Sequence, residues 1–185
     1  MDDLCQVGTI SNIRQILRMP GDNVRVMVEG QSRGRLLQLL RTTPYLEGEV
    51  QEIPVSDLPA RGSARTEALI RSTYDLFQDY AELAPKLSPD LMIHVLASQD
   101  PGHIADYIAQ NIPMRNSDKQ TILEESRPVR RLEKLHHLLE REVEILSLDQ
   151  EIQERAREQM NEHQRDYYLR EQLKVIQTEL GEEAD

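Results

Sequence analysis

The stretch VRRLEKLHHLLEREVEILSLDQEIQERAREQMNEHQRDYYLREQLKVIQTEL, Val129–Leu180, contains neither glycine nor proline and reads as one uninterrupted helix. At 1.5 Å per residue such a helix runs for roughly 75–80 Å, whereas a compact chain of this length has a radius of gyration of about 16 Å. The spacing therefore predicts a helix that outruns its own domain. Leu132, Leu135, Leu138, Leu139, Val143, Leu146, Leu148 and Ile152 recur at three- and four-residue steps, the pattern of a face packed on a core. From Asp149 to Asp166 the sizeable apolar side chains are Ile152 and Met160, set among Glu151, Glu154, Arg155, Arg157, Glu158, Glu162 and Arg165. A helix that is polar all round typically bridges two bodies through solvent. Pairs such as Glu151–Arg155 and Asp166–Arg170 have the acid-before-base i,i+4 order, each stabilising by only about 0.2–0.5 kcal/mol. Apolar character returns at Tyr167, Leu169, Leu173, Ile176 and Leu180, a stripe expected to be occupied from outside this chain, and Gly181 stands where the helix should stop.

Working back from that helix, Ser126 and Pro128 should open it, and Ser117-Asp118-Lys119-Gln120 has capping-box spacing for a short helix through Ile122 and Leu123. Asp100-Pro101 and Ser88-Pro89-Asp90 repeat one grammar: a capping side chain, proline in the first turn, and, after Ser88, an acid at the positive dipole end. Ser63 should cap a helix carrying Leu69, Ile70, Tyr74, Phe77 and Tyr80 that ends before Pro85. Short capped helices of this kind pack as a bundle beside the base of the long one. Pro54 to Ala64, with Pro59 and Gly62, reads as a linker, which divides the chain into residues 1–58 and 59–185.

Before the linker the pattern changes to strands. Val7 to Met19 has a mixed period, so that a strand and a helix beginning near Ser11 both remain open. Pro20-Gly21-Asp22-Asn23 is a turn, and Val24, Val26 and Val28 alternate with Arg25, Met27 and Glu29 as in a half-buried strand. Gly30 and Gly34 are expected to bracket a bend, with further strands over Arg35 to Arg41 and Tyr45 to Ile53, giving a four-stranded sheet with open edges. The fold class is α+β.

Composition and motifs exclude several functions. The net charge of −11 argues against binding a phosphate backbone, which calls for a basic surface. The lone Cys5 forms no intrachain disulfide and suits a reducing compartment. The start Met1-Asp2-Asp3 lacks a basic and an apolar leader region, and no run reaches the ~18 apolar residues of a membrane span. These features predict a soluble, cytoplasmic chain with neither nucleic acid nor membrane as partner. There is no GxxxxGK[ST], GxGxxG, HExxH or CxxC, so no catalytic residue, cofactor ligand or metal ligand is assigned. His136 and His137 are adjacent and point about 100° apart on a helix; together with His94, His103 and His163 they are read as surface or half-buried side chains. The serines have a sufficient role as caps.

Met160 draws attention because a flexible thioether in a polar stretch has no local core to fill, and methionine suits surfaces that meet many apolar sequences. The plain alternative is packing on a neighbouring helix, or simple exposure. We take Met160, with Met19 and Met27, as candidate polypeptide contacts, and Leu169, Leu173, Ile176 and Leu180 as a candidate assembly stripe.

Two segments carry a resemblance. VGTISNIRQILRMPGDNVRVMVEGQSRGRL (Val7–Leu36) resembles the second half of the N-terminal β domain of bacterial Lon proteases, and QRDYYLREQLKVIQTELGE (Gln164–Glu182) is similar to the family's helix preceding the ATPase module. The family's β domain, of PUA-like Lon-N type, begins with further strands upstream. The resemblance therefore implies a truncated β domain followed by a helical bundle and the long helix. It further implies a parent that is a cytoplasmic, homohexameric, ATP-dependent serine protease with an AAA+ motor using ATP and Mg and a Ser–Lys dyad, neither module lying in this chain. The role it implies here is non-catalytic: recognition of unfolded or damaged proteins in protein quality control, and organisation of the hexamer. The alternative is a structural spacer or coiled-coil element that sets oligomer geometry without touching substrate.

Overall fold

A computed structural model describes residues 4–21, 23–54, 63–84 and 87–181. Three antiparallel strands, β1 (Val7–Arg18), β2 (Val24–Arg41) and β3 (Glu47–Ile53), form a sheet in the order β1-β2-β3. Five helices follow among the described residues: α1 (Ala64–Leu83), α2 (Pro89–Leu96), α3 (Pro101–Asn111), α4 (Asn116–Glu124) and α5 (Pro128–Glu179). The chain divides into two compact units, Met1–Glu140 and Arg141–Asp185. The linker expected over Pro54–Ala64 lies for the most part in 55–62, outside the described residues, and α1 ends at Leu83, before Pro85 as expected.

Residues 7–18 form a strand, which closes the question left open by their mixed period. Register shifts between Ile10 and Ser11 and between Ile13 and Gln15 explain that mixture, because each shift interrupts the alternation of faces. Gly21, at φ 80°, turns the chain, and the Met19 amide donates to the Asn23 carbonyl at 2.8 Å. The bend expected between Gly30 and Gly34 does not occur. β2 runs unbroken through both glycines, so the sheet has three strands rather than four. Gly34 is there for closeness: a Cβ would lie 2.7 Å from Val50 Cγ1 and 2.9 Å from Ile10 Cγ1, where the side chains of both neighbouring strands cross its backbone.

The helices start mostly where the caps predict. The Ser63 hydroxyl accepts from the Thr66 amide, and the Asp100 carboxylate accepts from the Gly102 amide at 2.7 Å and the His103 amide at 3.3 Å. Two serines depart from expectation. Ser88 holds the N-cap position of α2 but makes no side-chain capping bond. α4 is capped at Arg115, placing Ser117 inside the helix. Gln120 therefore does not close a capping box. Its amide donates instead to the Val7 carbonyl of β1 at 2.9 Å and to Glu124 at 2.9 Å, which docks α4 on the sheet.

The core of the first unit is helical. Phe77, Ile104, Ile108, Leu132, Leu135 and Leu139 are fully buried, joined by Ile112, Ile122 and Val95. Burial of each such side chain is favourable by about 1.5–3 kcal/mol. Thr73, also buried, donates its hydroxyl to the Leu69 carbonyl at 2.8 Å and meets His136 Nδ1 at 3.2 Å, so its polar atom is satisfied. The run of packed positions expected to reach Ile152 ends earlier. Val143 and Leu146 are half-buried, while Leu148 and Ile152 are exposed. Among the described residues, the second unit contains one helical segment and no second element to cover them. That segment ends at Gly181, whose φ of 74° is the left-handed stop expected there.

Candidate functional site

Three places could do chemical work: the outer part of the β1–β2 hairpin, the surface of the second unit's helix, and the junction of sheet and helices.

In the hairpin, directly opposed residues share a face. Ile13 opposes Val28, Ile16 opposes Val26, and Arg18 opposes Val24. The result is an aliphatic face of Ile13, Ile16, Val24, Val26 and Val28 with Arg18 at its end. Those five side chains are 45–64% exposed. The alternation of Val24, Val26 and Val28 predicted a half-buried strand, and this is corrected: α4 meets β1 at its start, around Val7 and Thr9, and all three valines are exposed among the described residues. Gln15 opposes Met27 and Leu17 opposes Arg25 on the reverse side, where Met27 is exposed. Met19 is exposed just beyond β1. Arg14 and Glu29 pair across the two strands. The methionines thus sit around the aliphatic face rather than on it. The signal that locates this face was present in the Val24-x-Val26-x-Val28 alternation, but spacing alone does not say whether a face is covered.

On the second unit's helix Met160 is exposed and shares a shallow groove with Ala156, Gln159, His163, Gln164, Tyr167 and Tyr168. Ala156, Met160, His163 and Tyr167 follow one another at steps of four, three and four, so they lie in one row along the helix. Leu169, Leu173, Ile176 and Leu180 form a second row with the same steps, every member exposed by half or more. Met160 and Leu169 are nine residues apart, which at 3.6 residues per turn is about two and a half turns. The two rows therefore face opposite sides of the helix.

The junction is a cleft of about 600 Å³ lined by Arg33, Glu52, Asp106, Gln110, Lys119 and Leu123 among others. Its walls are held by ion pairs that sequence spacing gave no means of finding. Arg33 of β2 donates to Asp106 Oδ1 of α3 at 2.7 Å and to the Leu123 carbonyl at 2.9 Å. Arg131 of α5 lies 3.3 Å from the same Asp106 oxygen and donates to the Glu125 carbonyl at 2.9 Å. Burial pushes the Arg131 guanidinium down from its ordinary value, and Asp106 opposes that shift. Glu125 accepts from the Arg127 amide at 3.2 Å and from its Nε at 3.0 Å, with Lys134 at 3.5 Å. The hydrogen bond from Arg127 holds the Glu125 carboxyl at about 2. These charges neutralise one another and fasten elements together, so the arrangement is that of a joint. Elsewhere His137 Nδ1 donates to the Glu140 carboxylate at 3.0 Å, with His136 Nε2 at 3.5 Å from the same carboxylate.

Comparison with known proteins bears on what these surfaces serve. A family model described as the ATP-dependent protease La (LON) substrate-binding domain matches residues 1–141. The Lon protease of Clostridioides difficile strain 630 is 40% identical over 186 residues, covering 100% of this chain and 24% of that protein. The Lon protease of Escherichia coli strain K12 is 35% identical over 185 residues, covering 100% of this chain and 23% of that protein. The chain therefore spans about a quarter of the length of these relatives. A solved structure, the N terminal domain of Mycobacterium avium complex Lon protease, has a TM-score of 0.60 at 22% identity over 76% of this chain and 73% of that one, a likeness of fold.

Proposed function

Because the chain belongs to the Lon substrate-binding domain family, we propose that it is the non-catalytic N-terminal region with which an ATP-dependent Lon serine protease of the cytoplasm recognises unfolded or damaged proteins and organises its hexamer. ATP, Mg and the proteolytic residues belong, in this reading, to parts of the parent beyond this chain. The observation that carries it is the uncovered aliphatic face of Ile13, Ile16, Val24, Val26 and Val28. Contiguous exposed apolar surface of this kind is uncommon on monomeric proteins and goes with interaction sites. Apolar contacts are non-directional, which suits a surface that accepts many sequences. Met19 lies just beyond the end of this face and Met27 on the reverse side of the same hairpin, and Met160 supplies a further adaptable contact on the helix.

The test is fluorescence anisotropy of labelled, unfolded casein titrated with this chain. Binding that weakens in Ile16→Lys supports the reading, and Met160→Ala reports whether the helix takes part. Casein that ignores the chain at every concentration would sink it.

A second reading, a spacer that sets oligomer geometry, is favoured by the Leu169, Leu173, Ile176 and Leu180 row and its position opposite the Met160 row. Two rows on opposite sides suit a helix held between two neighbours. Light scattering over a concentration series separates the readings: self-association abolished by Leu173→Lys, without casein binding, favours the spacer.

A further inference from the structure

The entrance to α5 gathers positive charge that its ion pairs do not use up. Arg127, Arg130, Lys134 and His137 follow one another at steps of three, four and three, so they lie in one row along the first turns of the helix. Leu132, Leu135 and Leu139 on the same turns are fully buried, which places the row on the outward side. Arg65, in the first turn of α1, joins it, and together they line a cleft of about 580 Å³. The carboxylates in that lining are Glu125 and Glu133. Four permanent cations therefore face two carboxylates, in a chain whose net charge is −11. Both carboxylates are engaged already. Glu125 is shared between Arg127 at 3.0 Å and Lys134 at 3.5 Å, and Glu133 lies 3.3 Å from Arg65. Arg130 is exposed and, among the described residues, makes no ion pair. The backbone adds charge of the same sign. The Arg127 carbonyl accepts from the Arg131 amide at 2.9 Å, which sets Arg127 just before the first turn, and the positive end of the helix dipole lies there.

We propose that this cleft docks a short acidic polypeptide segment, its carboxylates set along the row from Arg127 to His137 with Arg130 as the central contact. The row spans ten residues of helix, about 15 Å, which matches roughly four to five residues of extended chain. Guanidinium forks meet carboxylates through paired, charge-assisted hydrogen bonds. Carboxylates are the fitting anion because an excess of two positive charges neutralises a few of them, whereas a phosphate backbone calls for an extended basic surface. The site shares no residue with the aliphatic hairpin face and takes the opposite chemistry. It therefore goes beyond the reading given above and stands or falls separately from it.

The test is fluorescence anisotropy of a labelled peptide, Ser-Glu-Glu-Gly-Glu-Glu-Ser, titrated with this chain at low ionic strength, where exposed charges are least screened. A second peptide carries glutamine at every glutamate. The glutamate peptide should bind and the glutamine peptide should not. Arg130→Glu should weaken binding by about tenfold, equivalent to ~1.4 kcal/mol. An acid in the first turn suits the helix dipole, so this variant keeps α5 intact. Glu133→Gln should tighten binding, because it releases Arg65. Arg155→Glu changes the net charge as much as Arg130→Glu does, but it lies in the second unit and outside the cleft, and should leave affinity unchanged. Equal losses in Arg130→Glu and Arg155→Glu would overturn the site, since the peptide would then be responding to overall charge. Binding of the glutamine peptide, or no binding of the glutamate peptide at the lowest ionic strength, would overturn it as well. The peptide has no apolar side chain to offer the hairpin face, so the casein titration succeeds or fails independently of this one.

Discussion

Leu132, Leu135 and Leu139, in the first turns of α5, are fully buried, whereas Leu148, Leu169 and Leu173 further along the same helix are exposed by half or more. All six stand at three- and four-residue steps in a sequence without glycine or proline. The difference lies in what covers them. The first turns belong to the buried core that also holds Phe77, Ile104 and Ile122, and among the described residues the second unit has no element of its own to lay against the later ones. Periodicity specifies a direction for apolar side chains; coverage comes from the rest of the fold or from another molecule. The hairpin repeats the lesson in a strand: Val7 is buried at the end that meets α4, and Val24, Val26 and Val28 are exposed at the other.

The largest test of that comparison is a pair of matched truncations. Leu135→Ala removes a fully buried side chain and should cost about 2–5 kcal/mol, the range for a cavity in a packed core. Leu173→Ala, at 56% exposure, should change stability by no more than about 0.5 kcal/mol, as surface substitutions do. Urea unfolding followed by circular dichroism measures both. Similar losses in the two variants would mean that the later leucines are covered after all, for instance by a second copy.

A smaller effect is expected at the joint. Asp106→Asn deprives Arg33 and Arg131 of their shared carboxylate and leaves two guanidiniums facing one amide. Asp106 itself is 41% exposed, so the expected cost is about 1–3 kcal/mol rather than the larger loss of a fully buried pair. Because Arg33 belongs to the sheet and Arg131 to α5, hydrogen exchange should quicken in β2 and β3 more than in the core of α3 and α5. Uniform quickening would show that Asp106 supports the whole unit rather than the attachment of the sheet.

Much of this architecture is legible in the residues. The glycine-free run gives α5 to within one residue at each end, Ser63 and Asp100-Pro101 give the starts of α1 and α3, and Pro20 to Asn23 gives the hairpin turn. The glycines of β2 were misleading because glycine serves two needs, a bend or a close approach, and Gly34 serves the second. Ser117 misled for a related reason: capping-box spacing is a local signal, and Gln120 is used for a contact with Val7 that lies 113 residues away. The Arg33, Asp106 and Arg131 joint was illegible, since ion pairs between distant elements leave no mark in spacing. The candidate surfaces differ in how they read from sequence. The three methionines singled out in the sequence are exposed, while the aliphatic hairpin face of Ile13, Ile16, Val24, Val26 and Val28 looked like an ordinary core face.

The subtlest test concerns acid. Glu125 sits at the entrance to α5 with Arg127 and Lys134 upon it, and its folded carboxyl is held at about 2 instead of the ordinary 4.5, first through the Arg127 hydrogen bond. A carboxyl depressed in the folded state binds a proton more readily when unfolded, so its contribution is complete above about pH 4.5 and is lost as the pH falls toward 2. Thermal unfolding of the unaltered chain should therefore show a falling Tm across that window. Glu125→Gln should be less stable at neutral pH, by about 1.5–3 kcal/mol for a charge-assisted bond, with a correspondingly lower Tm that falls less steeply. Leu173→Ala should keep the steep profile, because Glu125 secures the buried turns of α5 and the exposed leucine row does not depend on it. Parallel profiles for Glu125→Gln and the unaltered chain would place the acid sensitivity in other carboxylates and would separate the securing of the helix base from its burial.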